Sequence, residues 1–245
     1  LSIARDFNQG VVPPRGQTPL ELGTEALDDA FPEGDRPTSS ASIAILAEPG
    51  TRATRLAMRF LTAGLRSGEQ GLMVSTAEDL DTLSRYARTD PSLEGAWVDG
   101  KFADGFRVLH LHPEFISAGK FAGDLMRFLA PSEGGSVRRL AFADIHQLED
   151  RFPLLKGQNF MLPALLDMLR YRGVTPLAVD LVPPGTAEGL APFDPSPYLV
   201  LFDAVVHLFL ADPGDGERRT CIRVLKPSPE VGSAPIVPLR PKAVP

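Results

Sequence analysis

The hydrophobic positions along the middle of the chain change repeatedly between two spacings. Short runs of consecutive apolar residues, such as 43–47, are typical of strands that are buried on both faces of a sheet. Segments with apolar residues three or four positions apart, such as Leu56, Phe60 and Leu61, favour amphipathic helices. Because the two kinds of segment alternate, we expect parallel strands joined by helical crossovers.

The same pattern gives approximate bounds for each element. A first helix is expected after the loop at 48–50, and a turn at 213–216 separates the last two strands. We predict strands at 42–47, 71–75, 106–111, 139–144, 174–182, 204–210 and 220–226, and further helices at 79–88, 118–129 and 160–171. The fold class predicted is α/β, with a mostly parallel twisted sheet, helices on both faces and antiparallel strands at the C-terminal end.

Proline marks both ends of the chain. The sequence has 24 prolines in 245 residues, about twice average usage, and many of them lie in the first 20 residues and after residue 226. Proline fixes φ and lacks a backbone donor, so such segments suit extended, peripheral positions. We therefore divide the chain into an N-terminal arm at 1–20, a domain at 21–226 and a C-terminal arm at 227–245.

Charge and cysteine content narrow the function classes. A net charge of -6 gives no general attraction for nucleic acid, so nucleic-acid binding is not expected. The single cysteine, Cys221, excludes an intramolecular disulfide framework and a zinc site built from several cysteines. The sequence has neither a signal-peptide pattern nor an apolar run long enough for a membrane span, which predicts a cytoplasmic protein with no membrane contact.

The loop after the first strand partly follows the phosphate-loop pattern G-x-x-x-x-G-K-[ST]. In that pattern glycines let backbone amides surround phosphate, lysine reaches the terminal phosphates and the hydroxyl holds magnesium. The aligned residues here are AEPGTRAT at 47–54, which keep the central Pro-Gly-Thr and the final hydroxyl of Thr54. Both outer glycines and the lysine are replaced, the lysine by Ala53. By itself the loop does not match.

Six further segments occur along the chain in the same order as in one protein family. They are LGTEALD at 22–28, GEQGLMVSTAED at 68–79, LAFAD at 140–144, LRYRGVT at 169–175, DAVVHL at 203–208 and RTCIRVLK at 219–226. Their order and spacing resemble those of the KaiC-like branch of the RecA-type ATPases over about residues 20–240. The resemblance implies a RecA-like P-loop NTPase fold.

The resemblance also implies which residues would face a nucleotide. Magnesium would be held by Thr54 and Asp144, although Asp144 can equally be a strand-end carboxylate that caps the next loop. The nucleotide-binding positions implied are Gly50, Thr51, Arg52, Thr54, Arg55 and Asp144.

The chain departs from the family at the catalytic positions. Ala53 removes the cation, and the bulky Arg52 is expected to fill the anion cradle. In the paired-acid position the first acid is Ala77, so only Glu78 remains as a residual catalytic acid. Arginine binds phosphate in a bidentate manner, so a rebuilt loop in which Arg52 or Arg55 replaces the lysine is the alternative.

The last strand carries the residues that, by resemblance, act across a subunit interface. Arg219 and Lys226 match those basic positions, although the Arg-Gly that follows in the family is replaced by Pro227 and Ser228. The alternative is a solvated strand face. RecA-like folds commonly assemble head to tail, so we expect a homo-oligomer or a protein partner.

Four histidines provide weaker candidates for function. His110 and His112 alternate on one strand with Glu114 nearby, which is a spacing that metal ligands can use, although without a further ligand cluster such a spacing more often marks a strand end. His146 follows Asp144, and His207 is expected to be a core histidine with satisfied hydrogen bonds.

Three functions are considered for this sequence. One of them, a recombinase-like nucleic-acid binder implied by the wider RecA resemblance, is disfavoured by the acidic net charge and by the aromatic content of 7%. Two others remain. The first is a degenerate KaiC/RecA-like domain, a pseudo-ATPase that needs no cofactor and acts as a regulatory or scaffolding protein. The second is an ATP-binding switch or weak ATPase, in which ATP and magnesium bind an atypical loop.

Overall fold

A computed structural model gives the architecture of the chain. It describes Gly16 and residues 18–112, 117–131, 135–146, 161–212, 216–227 and 236–239. Most of the two arms and Glu114 therefore lie outside the described residues. None of the helices in these ranges is long and apolar enough to cross a bilayer.

Most strands of the described chain belong to one eight-stranded sheet. The strands are β1 (Ile43–Ala47), β2 (Gln70–Ser75), β3 (Trp97–Val98), β4 (Lys101–Phe102), β5 (Phe106–His110), β6 (Val137–Phe142), β7 (Thr175–Leu181), β8 (Ala204–Ala211), β9 (Arg219–Lys226) and β10 (Val237–Pro238). The large sheet has the order β10-β9-β8-β1-β7-β6-β2-β5, and β3 and β4 form a separate hairpin. The six strands from β8 to β5 pair in parallel, whereas β9 and β10 pair antiparallel. The predicted α/β class, with antiparallel strands at the C-terminal end, is confirmed.

Helices cover both faces of this sheet. They are α1 (Glu25–Asp28), α2 (Ala53–Arg66), α3 (Leu80–Thr89), α4 (Ala118–Leu129), α5 (Met161–Tyr171) and α6 (Ser196–Leu201). The predicted strands and helices are found with shifts of one or two residues at their ends. One of these shifts matters for the site: β6 ends at Phe142, so Asp144 lies beyond the strand.

Strand β1 shows why the apolar runs are continuous. Its residues alternate between two cores: Ile43 and Ile45 pack with α2 and α3, while Ala44 and Leu46 pack with α4 and α5. A parallel sheet with helices on both faces needs apolar side chains in both directions. All five residues of β1 are buried, so polar chemistry near β1 is confined to its ends.

Helix α2 leads away from the loop that follows β1. Its apolar side, including Leu56, Phe60 and Leu61, is buried in the core that also contains Ile43 and Ile45. The last turn carries Arg66, and the Ser67 amide bonds back to the Ala63 and Gly64 carbonyls before Gly68 turns the chain at φ 78°. A basic residue at this end interacts favourably with the helix dipole. At its other end, α2 begins at Ala53, six residues after the end of β1, and so lies at the C-terminal edge of that strand.

A buried arginine connects four parts of the chain at the opposite edge. The Arg139 side chain on β6 is 2% exposed and pairs with Glu69 through Nε at 2.5 Å. Its Nη1 donates to the carbonyls of Glu21 and Phe60, at 2.5 and 3.0 Å, and its guanidinium lies 4.9 Å from the Phe60 ring centre. Gly64 is needed beside it, because a Cβ there would lie 2.6 Å from Arg139 Cδ.

The described parts of the two arms pack against the domain. Pro19 forms a bridge with Thr38, and the Leu20 amide donates to the Pro37 carbonyl. At the other end, β10 adds to the edge of β9. Residues 1–15, 17, 228–235 and 240–245 lie outside the described residues, so the domain boundaries remain a prediction.

Replacing Arg139 tests how much the domain depends on this contact. We expect Arg139→Met to lower the free energy of unfolding by about 3 kcal/mol, because Glu69 and two carbonyls lose their donor. Urea denaturation measures the change. The control is Arg138→Met, since Arg138 is the exposed neighbour on the same strand and its loss should cost less than about 0.5 kcal/mol. Equal effects of the two variants would contradict this role of Arg139.

Candidate functional site

A cleft lies at the C-terminal edge of the parallel strands. Open α/β sheets bind ligands at this edge, because helix N-termini and loops converge there. The cleft has a volume of about 430 Å³. It is lined by Glu48, Pro49, Gly50, Thr51, Arg52, Ala53, Thr54, Arg55, Ala77, Glu78, Tyr86, Ala143, Asp144 and Leu181. The structure thus brings together every predicted nucleotide-binding position and Glu78.

The loop between β1 and α2 has the backbone of a tight turn. Gly50 has φ 86°, and Arg52 has φ 60° and ψ 37°, in the left-handed region that glycine adopts most easily. The buried Thr51 donates its hydroxyl to the Glu48 carbonyl at 2.8 Å and closes the turn. Arg52 therefore has a backbone conformation that glycine adopts most easily.

The side chains at the start of α2 differ from the expectation of a filled cradle. Arg52 is exposed, so it is not buried inside the loop. Ala53, at the position of the missing lysine, is 6% exposed and belongs to the apolar core. The guanidinium of Arg55 lies 4.5 Å from the Tyr86 ring centre at the side of the cleft. The interior of the loop is therefore uncharged at the lysine position.

Thr54 and Glu78 contact each other across the cleft. The Thr54 hydroxyl donates to Glu78 Oε1 at 2.6 Å, and both side chains are half-buried. Ser75, at the end of β2, holds the Glu78 backbone by donating its hydroxyl to the carbonyl at 2.6 Å. The predicted metal-binding hydroxyl is thus hydrogen-bonded to the predicted residual acid.

Asp144 lies at the bottom of the cleft. It is 5% exposed and follows β6 by two residues, and the amide of Ala143 donates to the Val74 carbonyl on β2. Within the described ranges there is no group of three or more His, Cys, Asp or Glu side chains that could hold a metal. Magnesium binding by Thr54 and Asp144 remains a prediction.

The histidine candidates are only partly described. The rings of His110 and His112 contact each other edge to face, with centres 4.6 Å apart. Their third candidate partner, Glu114, lies outside the described residues. His146 is exposed and follows Asp144 by two residues.

Glu48 is the residue that sequence reasoning missed. Its carboxylate is buried, and it accepts from the amide of Ala187 at 2.8 Å and from the amide of Gly185 at 3.2 Å. These partners are 139 and 137 positions away along the chain. The one local signal was an acid directly after an apolar strand, which is common at strand ends.

His207 on β8 faces the same carboxylate. Its Nε2 lies 3.6 Å from Glu48 Oε1, and that nitrogen has no hydrogen-bond partner among the described residues. The ring is 4% exposed and packs on Phe209, so the predicted burial is confirmed but the predicted hydrogen-bond satisfaction is wrong for Nε2. Burial lowers the pKa of His207, the Glu48 charge opposes that change, and Arg223 adds to it.

The two residues predicted to act across an interface, Arg219 and Lys226, lie at opposite ends of β9. Arg219 pairs with Ala211 at the end of β8 that borders the cleft, whereas Lys226 pairs with Val205 at the other end. Arg219 contacts Glu217 at 2.9 Å, and Lys226 donates to the Leu199 carbonyl of α6 at 2.7 Å. Only Arg219 is therefore at the edge of the sheet where the cleft lies.

Comparison of the chain with protein-family models and with curated proteins finds no match to either.

The buried histidine gives a pH dependence that can be measured. Because burial lowers the pKa of His207 below its ordinary value of 6.5, the unfolded chain takes up a proton there more readily than the folded chain. The stability contributed by neutral His207 is present above the ordinary value and is lost as the pH falls below it. We expect the free energy of unfolding to fall between about pH 6.5 and 5, with a slope from this group of up to about 1.4 kcal/mol per pH unit.

Urea denaturation at several pH values measures this slope. His207→Gln should flatten the curve in that range, whereas the exposed His112→Gln, which also removes an imidazole, should leave it unchanged. If both variants flatten it equally, His207 is not the group responsible.

Proposed function

We propose that this chain is a degenerate RecA/KaiC-like domain that does not hydrolyse ATP and works as a regulatory or scaffolding protein through protein contacts. The support for the scaffold is the order of the sequence segments together with a strand, loop and helix at the edge of a parallel sheet. The cleft lies at the position where this kind of sheet binds ligands. We propose that the chain differs from the resembled family in the side chains that line this cleft.

The observation that carries the proposal is the hydrogen bond between Thr54 and Glu78. In phosphoryl transfer, catalysis is mostly positioning and electrostatic stabilisation of the terminal phosphates. Here the hydroxyl that would hold magnesium donates at 2.6 Å to the acid that would activate water. At the position of the phosphate-binding lysine, the buried Ala53 supplies no charge. This donor set does not fit a magnesium-bound triphosphate.

The buried carboxylate of Glu48 opposes anion binding further. It lies within the loop itself, and its two oxygens already accept backbone amides. A phosphate placed at the start of α2 would meet this negative charge without the lysine that balances phosphate charge in the resembled family. Like charges in a partly desolvated site repel each other more strongly than in water.

A second candidate function has its own support. Arg52 and Arg55 line the cleft near the N-terminus of α2, and neither forms an ion pair within the described part of the chain. Arginine binds phosphate well, and helix N-termini favour anions. The alternative is therefore an ATP-binding switch or weak ATPase in which Arg52 or Arg55 replaces the lysine. Under the main proposal no cofactor is needed.

Thermal unfolding with magnesium and ATP separates the two functions. We expect no concentration-dependent rise in the midpoint for the natural chain, and a rise for the double variant Arg52→Gly, Ala53→Lys. A ligand at 100 times its Kd stabilises by about 2.7 kcal/mol, which corresponds to a rise of roughly 5–10 °C in a domain of this size.

The matched control is Arg52→Gly, Ala53→Met, which adds length at the lysine position without charge and should give no rise. A saturable rise in the natural chain that disappears in Arg52→Ala, Arg55→Ala would support the second function and overturn the first. A folded double variant that ignores ATP would show that the loop is aligned wrongly.

The proposed mode of action is association, with a second copy of this chain or with another protein. We propose a cytoplasmic location without membrane or nucleic-acid contact, on the basis of the acidic net charge and the sequence pattern. Light scattering at working concentration tests self-association. We expect a mass of two or more chains, and a mass of one chain would remove the homo-oligomer and leave only a different protein as the partner.

A further inference from the structure

The turn after β7 is attached to the domain in an unusual way. Residues 183–190 are mostly exposed and form hydrogen bonds within the turn, including those from the Glu188 and Leu190 amides to the Gly185 carbonyl. Among the described residues, the hydrogen bonds that tie this turn to the rest of the chain are those of Gly185 and Ala187 to Glu48. The Glu48 side chain, from the loop between β1 and α2, therefore holds the turn in place.

The groups around that carboxylate form a pocket for an anion. Two amide hydrogens converge on it, one on each oxygen, and the His207 ring lies 3.6 Å from Oε1. The Glu48 backbone is also fixed, because its amide donates to the Leu208 carbonyl and its carbonyl accepts from Thr51. Pairs of backbone amides that converge in this way bind carboxylates and phosphates in proteins.

We propose that the amides of Gly185 and Ala187, together with His207, form a carboxylate-binding site that the chain fills with its own Glu48. The site holds the turn at 183–190 against the loop before α2. When Glu48 leaves it, the turn is released unless a small carboxylate from solution takes the place of the Glu48 side chain. This inference does not depend on whether nucleotide binds.

Acetate tests the site, because it restores the atoms that Glu48→Ala removes. We expect Glu48→Ala to lower the midpoint of thermal unfolding by about 5–10 °C. Acetate at 100 mM should then raise the midpoint of this variant by about 3–6 °C relative to the same concentration of chloride, as for a Kd near 10 mM. Acetamide has the same shape without the charge and should give no rise.

The matched control is Glu78→Ala, which removes an acid from the same cleft. The Glu78 carboxylate accepts from the Thr54 hydroxyl and not from a pair of backbone amides. Neither this variant nor the natural chain should gain more from acetate than from chloride. The proposal is wrong if acetate stabilises Glu48→Ala no more than chloride does, or if it stabilises all three proteins equally.

If Glu48→Ala does not fold, Glu48→Gln answers the same question by NMR. The carboxamide has one accepting oxygen and a nitrogen that only donates, so one of the two backbone hydrogen bonds is lost and the other is weakened. The amide protons of Gly185 and Ala187 should therefore move upfield. The amide of Glu188, which donates to the Gly185 carbonyl, should stay in place. Unchanged signals from Gly185 and Ala187 would overturn the proposal.

Discussion

The central constraint on this protein is that a parallel sheet must be covered on both faces. Each central strand therefore sends apolar side chains in both directions, as the five buried residues of β1 do. Polar side chains are displaced to the two edges of the sheet. At one edge Arg139 fastens β6 to α2 and to the N-terminal segment. At the other edge the strand ends bring Glu48, Glu78 and Asp144 into one cleft.

The cleft combines a tight turn of the backbone before α2 with polar side chains that bond within the chain. Gly50 and Arg52 adopt left-handed conformations before α2, which places the start of the helix at the cleft. Yet Thr54 and Glu78 are bonded to each other, and Glu48 occupies the amides of the neighbouring turn. In both cases the polar group is satisfied within the chain, which is what a buried polar group requires when no ligand is present.

The sequence predicted the features that depend on residues close to each other along the chain. Continuous apolar runs predicted the parallel strands, and the order of strand and loop placed Thr54 and Asp144 at one edge, where the structure has them. What it missed depends on distant partners. The neighbours of Glu48 come from the turn after β7 and from β8. Arg219 and Lys226 are the two ends of the extended strand β9, and because β9 runs antiparallel to β8, Arg219 is the one at the cleft end. The hairpin of β3 and β4 has two residues in each strand, too few for a periodic pattern.

We propose that this cleft does not bind a nucleotide, because Thr54, Glu78 and Glu48 form hydrogen bonds within the chain. Isothermal titration of the natural protein with magnesium and a non-hydrolysable ATP analogue tests it most directly. We expect no saturable heat corresponding to a Kd tighter than about 1 mM. Saturable binding of one nucleotide per chain, abolished by Arg52→Ala together with Arg55→Ala, would contradict it.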